Sequence, residues 1–136
     1  MKYLLMVYSN PQNWDHPVFM HTQQGLEMPP EERDEMARGF DAMLHEIRAS
    51  GEWIAVAALT EPATSRTVKV RDRVALATDG PYVESKEHLA GVFFLDCETK
   101  ERAEQIAARF PDARFGAVEL RPIEGSAGLG AEFPRQ

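Results

Sequence analysis

The residues best suited to chemistry in this 136-residue chain lie in one short run, Asp79-Gly80-Pro81-Tyr82 followed by Glu84, Lys86, Glu87 and His88. Asp79, Glu84 and His88 are the candidate catalytic groups, because carboxylates and imidazole are the side chains that move protons near neutral pH. Lys86 stands between two carboxylates, where it can hold one ionised while the other acts as a base. Gly80 lets backbone approach a ligand closely. With Pro81, Tyr82, Lys86, Glu87 and, upstream, Lys69, it makes a candidate ligand-binding set. A structural reading stands beside the chemical one. Asp-Gly-Pro is also a turn, in which Asp caps its own backbone, Gly takes positive φ and Pro stiffens the exit. The charged residues after it also suit a solvated connector. If that stretch is extended, Glu84 and Lys86 share a face; if it is a helical turn, Glu84 and Glu87 do. Thr67, Lys69 and Arg71 alternate onto one face of a predicted hairpin arm, to meet an anion or to guard a sheet edge.

The other candidate groups are more scattered. His16 and His21 fall in the segment from Ser9 to Pro30, among Trp14, Phe19 and Met20. Their spacing fixes no metal geometry, and no HExxH or comparable pattern accompanies them. A lid contributing an aromatic wall and one polar His fits that segment better. His45 belongs to the exposed side of a helix. Cys97 is the single cysteine and has no activating neighbour in sequence, so it reads as a small buried apolar residue. No Gly-rich phosphate loop follows a strand, and no GxSxG elbow occurs. The expectation is therefore no metal and no cofactor. Any chemistry is then proton transfer, elimination or isomerisation.

Hydrophobic periodicity supplies the elements that must position these groups. Lys2 to Tyr8 reads as a strand ended by Ser9, Asn10 and Pro11. Glu31 to Ser50 reads as a helix, with Pro29 and Pro30 before it and acidic residues in its first turn. Met36, Phe40, Met43, Leu44 and Ile47 form its apolar stripe, and Gly51 is its stop. Trp53 to Leu59 is a second strand. Arg66 to Arg71 and Val74 to Thr78 form a hairpin turning at Asp72 and Arg73. Ala90 to Cys97 is a continuous apolar run, the mark of a central strand. Thr99 to Phe110 is a helix capped by Thr99, and Ala117 to Ile123 is the last strand. Ser9 to Pro30 is left as a long loop of functional character. Residues 1–124 make a single domain, and 125–136 a flexible tail.

Without the hairpin the order is βαββαβ, so the fold class is α+β, ferredoxin-like, with an inserted β-hairpin. Two helices cover one sheet face and nothing in the chain covers the other. A second copy of the same sheet is the economical cover, which predicts a homodimer closed as a dimeric α+β barrel.

Thr67 to Asp96, TVKVRDRVALATDGPYVESKEHLAGVFFLD, and Ala108 to Ile123, ARFPDARFGAVELRPI, resemble the YCII-related family in its DGPF branch. The opening MKYLLMVY resembles the branch's first strand. The resemblance implies a dimeric α+β barrel and a small-molecule enzyme or ligand binder, with some relatives encoded beside alternative sigma factors. Tyr82 stands where the branch usually has Phe, and Arg73 where Gly is common. Smaller family members carry a His at the start of the first helix, proposed as half of a His–Asp pair. Pro29-Pro30-Glu31-Glu32 occupies that point here, so no His is carried over.

Fifteen basic against 22 acidic residues give a net charge of −7. That balance opposes general binding to nucleic acid or anionic membrane, which needs a positive field. A lone cysteine and the absence of a long apolar leader or span point to a cytoplasmic protein. Arg66, Lys69, Arg71, Arg73 and Lys86 nonetheless gather around the DGPY turn, where a small anion would be accepted. The partners expected are a small-molecule ligand and a second copy of the chain. The alternative is a non-catalytic module acting through a regulatory protein partner.

Overall fold

A computed structural model describes residues 1–129. Strand β1 (Lys2–Ser9) leads through a 3-10 turn (Val18–His21) and helix α1 (Gln23–Glu27) into the long helix α2 (Pro30–Ala49). Strand β2 (Trp53–Ala58), the hairpin β3 (Arg66–Arg71) and β4 (Val74–Asp79), and strand β5 (His88–Asp96) follow. Helix α3 (Lys100–Ala108), the single turn α4 (Asp112–Phe115) and strand β6 (Ala117–Pro122) complete the chain.

The main sheet has the order β2-β5-β1-β6 and is antiparallel throughout, the ferredoxin-like arrangement expected. Register sets which side chains share a face. Leu5 lies opposite Phe93 on one side and Leu120 on the other. Tyr3, Leu5, Val7, Phe93 and Leu95 are buried and pack with Met43 and Ile47 of α2 and Ala103, Ile106 and Ala107 of α3. Phe40, Leu44 and Trp53 pack around that core, so the predicted α2 stripe is the one used. Each fully buried side chain of this size stabilises the fold by about 1.5–3 kcal/mol. The opposite face carries Leu4, Met6, Ala55, Ala57, Val92 and Phe94, brought together by the same register. Among the described residues no helix shields this face as α2 and α3 shield the other: Leu4, Met6, Val92 and Phe94 are only part-buried and Ala57 is exposed.

Local chemistry ends the elements where expected. Gly51 takes φ +83 after α2, a value that favours glycine. Thr99 accepts a hydrogen bond from the Arg102 N–H at 3.0 Å and so caps α3. From the same turn Arg102 reaches Glu52 just before β2 with two bonds, at 2.7 and 2.9 Å. That guanidinium holds the Glu52 carboxyl below the ordinary range. Cys97 is buried, and burial pushes its thiol up, which fits the inert role read for it.

The long loop expected from Ser9 to Pro30 is instead a folded segment. Val18, Phe19 and Thr22 are buried. The Thr22 hydroxyl donates to the Phe19 carbonyl and accepts from the Gly25 N–H, both at 3.0 Å. A side chain on Gly25 would strike the Phe19 carbonyl oxygen, so α1 can pack here only through glycine. Of the tail expected from Gly125, Ser126 is buried; residues 130–136 lie outside the described residues. No helix among the described residues is long and apolar enough to cross a membrane.

Candidate functional site

The DGPY turn closes the base of the hairpin. Asp79 ends β4 and pairs with Arg66 of β3 at 2.6 Å, with its side chain 87% exposed. Gly80 takes φ +95. Its N–H donates to the Ser65 carbonyl at 2.7 Å, and its own carbonyl accepts from the Thr67 hydroxyl at 2.8 Å. Tyr82 is 74% exposed, with the Lys69 ammonium 5.1 Å from its ring centre. Glu84 and Lys86 are exposed in a segment that is neither strand nor helix.

Further along, Glu87 and His88 are part-buried and, with Pro81, line a cleft of about 660 Å³ beside Tyr8, Leu59 and Leu89. Asp79, Glu84 and Lys86 lie outside that cleft. The predicted catalytic trio therefore does not converge on one cavity. Asp79 serves the hairpin, Glu84 faces solvent, and His88 joins Glu87 at the start of β5. Gly116 explains the closeness of that corner. A side chain there would meet the Tyr8 carbonyl oxygen and come within 3.2 Å of Glu87 Oε2.

A second cavity lies between the sheet and the segment leading into α2. It holds about 280 Å³, and Val7, Phe19, Phe40, Phe93 and Phe110 supply apolar wall. The rings meet edge to face: Phe19–Phe40 at 5.0 Å, Phe40–Phe110 at 5.4 Å and Phe93–Phe110 at 5.0 Å. Such contacts fix ring positions better than aliphatic packing does. Gly91 on β5 keeps the floor low, since a side chain there would sit 3.1 Å from the Ala57 carbonyl oxygen. Three titratable residues share this wall: His16, Asp41 and Asp112.

Asp112 is the distinctive one. Phe110 and Pro111 are both buried and carry the chain inward, so the first residue of α4 is only 4% exposed. Its Oδ1 has no hydrogen-bond partner. Burial pushes the carboxyl up to about 6, against the lesser downward pull of its own backbone N–H and of the His16 charge. A carboxyl titrating there can hold a proton or release it near neutral pH.

His16 is placed from the other side. Its Nε2–H donates to the Leu59 carbonyl at 2.7 Å, and the Trp14 indole N–H donates to the same oxygen at 2.9 Å. With Nε2 held by that carbonyl, Nδ1 is the remaining ring nitrogen, an acceptor in the neutral ring and a donor in the charged one. The segment expected as a lid supplies His16 and Phe19 to the wall of this cavity. His21 is engaged elsewhere, with its Nδ1 3.2 Å from the Asn13 amide nitrogen. Among the described residues no three His, Cys, Asp or Glu side chains gather as a metal-binding group.

Sequence reasoning missed Asp112. Its one signal was local: a carboxylate directly after Phe110-Pro111, where an aromatic core residue delivers the chain into the interior.

A family model for the YCII-related domain matches residues 1–126. An uncharacterized protein of Rhizobium meliloti (strain 1021) is 27% identical over 95 residues, covering 68% of this chain and 77% of that protein. The chain belongs to the YCII-related family.

Proposed function

We propose that this YCII-related chain binds a small, largely apolar molecule in the cavity between sheet and helices and exchanges a proton with it through Asp112, assisted by His16. One observation carries the reading: a nearly fully buried carboxyl with an unpartnered oxygen, its pKa raised to about 6, contributes to an aromatic cavity. Perturbed titratable groups in apolar pockets are the pattern of acid–base sites. The chemistry that needs nothing more is cofactor-free elimination or isomerisation, in which one carboxyl takes a proton from carbon and returns it, or drives out a leaving group.

A protein-observed NMR fragment screen tests this reading. Small aromatic and cyclic aliphatic probes should shift amide resonances at Ala57, Gly91 and Phe110, and Asp112→Asn should change the pH dependence of those shifts. Probes that perturb only the Glu87–Leu89 cleft would move the site there, to the corner where His88 and Glu87 meet.

A second reading concerns assembly. The part-exposed apolar residues Leu4, Met6, Val92 and Phe94 on the uncovered sheet face support a homodimer packed sheet to sheet. The alternative role, a non-catalytic module acting through a regulatory protein, draws support from the exposed hairpin. Within the family, TDGPY-x-E-S-K-E supports the DGPF branch, and the single buried cysteine supports a cytoplasmic setting.

A further inference from the structure

The hairpin β3–β4 forms a two-stranded sheet of its own, not hydrogen-bonded to the main sheet. Every residue of β4 is exposed, and in β3 only Thr67 is not. Val68, Val70, Val74 and Leu76 are each at least half exposed. A two-stranded ribbon with this exposure is marginal in water and gains stability only when one face is covered. Register shows which face. Val68 pairs with Ala77 and Val70 with Ala75, making one uncharged apolar surface. It is bounded by the Arg66–Asp79 ion pair at the base and the Asp72-Arg73 turn at the tip. On the other face Lys69 and Arg71 alternate with Leu76 and Val74, and Tyr82 already packs under Lys69.

We propose that this hairpin is an arm that reaches over a second copy of the chain and lays the Val68–Val70–Ala75–Ala77 face on it. The proposal rests on the sheet-to-sheet dimer reading and adds the arm to it. Three observations select a second copy as the occupant. The base of the arm stands at one end of the uncovered sheet face, since Ser65 and Pro81 line the same cleft as Tyr8 and Ala117. A dimer through that face therefore brings each arm alongside the partner.

The arm is also long enough. Six residues per strand extend about 20 Å, against about 15 Å across four strands. Charge agrees as well. Residues 66–79 carry four basic and two acidic side chains, net +2, so the rest of a chain of net −7 carries −9. A basic arm near an acidic body adds a long-range attraction between copies, carried by Lys69 and Arg71 on the solvent side of the arm and not by the contact face itself.

The experiment combines sedimentation with cross-linking on the full chain. Sedimentation equilibrium compares wild type with Val68→Lys/Val70→Lys, and with Leu76→Lys as the opposite-face control. A photoreactive p-benzoylphenylalanine replacing Val70 is cross-linked in a mixture of nitrogen-15-labelled and unlabelled chains. The proposal expects a wild-type dimer. It expects at least about a tenfold rise in dimer Kd for the double variant, little change for Leu76→Lys, and cross-links joining labelled to unlabelled chains. Wild type sedimenting as a monomer at micromolar concentration overturns both the dimer and the arm. A dimer unaffected by the double variant, with cross-links only inside one chain, overturns the arm and leaves the sheet-to-sheet dimer standing. Equal weakening by Leu76→Lys overturns the choice of face.

Discussion

Replacing Asp112 by Asn isolates the buried carboxyl. The side chain is 4% exposed, and its pKa stands at about 6 against an ordinary 3.8. The folded chain thus keeps a proton at pH values where the unfolded chain has already released it. A raised carboxyl pKa stabilises the fold fully below the unfolded value, and that stabilisation is lost as pH rises through the folded value. The window runs from about pH 4 to about pH 6, and the whole effect is about 3 kcal/mol at ~1.36 kcal/mol per unit. Asn has nearly the same shape and does not titrate, so the variant lacks this loss.

Urea unfolding at about pH 4.5 and about pH 8 measures it, because the other ionisable groups titrate alike in both proteins and cancel in the comparison. Wild type should lose about 2 kcal/mol more than Asp112→Asn between those conditions. Whatever Asn itself costs by being buried appears equally at both pH values and drops out. A difference below about 0.5 kcal/mol would refute a carboxyl titrating in the interior. A variant that loses more than wild type would reverse the sign of the reasoning.

Other expectations follow from single contacts. His16→Ala removes a positive charge that holds the Asp112 carboxyl down, so carbon-13 NMR of that carboxyl should show its pKa rising further. Gly116→Ala should destabilise the fold by about 1–3 kcal/mol in denaturant, because the added methyl meets the backbone of Tyr8 between β1 and α4. Arg73→Gly should firm the hairpin by about 0.5–1 kcal/mol, since Asp72 and Arg73 both hold positive φ; amide exchange at Val70 and Val74 reads it, and faster exchange would count against the turn assignment. Arg102→Leu should cost about 1 kcal/mol in urea unfolding by leaving the part-buried Glu52 without its guanidinium; no loss would mean the pair is only a surface contact.

The sheet and its long helix were legible because their signals are periodic. Met43, Leu44 and Ile47 repeat at helical spacing, and Ala90 to Cys97 is uniformly apolar, so each fragment declares its own face. Ser9 to Pro30 declares nothing of the kind. Its order comes from Thr22 bridging Phe19 and Gly25, and from Phe19 inserting against Phe40, contacts that no local pattern announces. Polar composition and proline made it resemble a loop, yet two buried hydrophobic residues, Val18 and Phe19, are enough to fold it onto the core.

The site divides along the same line. Asp79 and Gly80 drew attention through a distinctive turn, and the structure uses them for a turn: an ion pair, a positive φ and two hydrogen bonds at the hairpin base. Asp112 was unremarkable in sequence, since a carboxylate after Pro at a helix start is what capping and the helix dipole favour anyway. Its chemistry comes from position alone. Phe110 is held by Phe40 and Phe93, the chain turns at Pro111, and the next residue is carried inside with them. On the proposed reading, acid–base work falls to the one carboxylate that long-range packing removes from water and not to the conspicuous charged run.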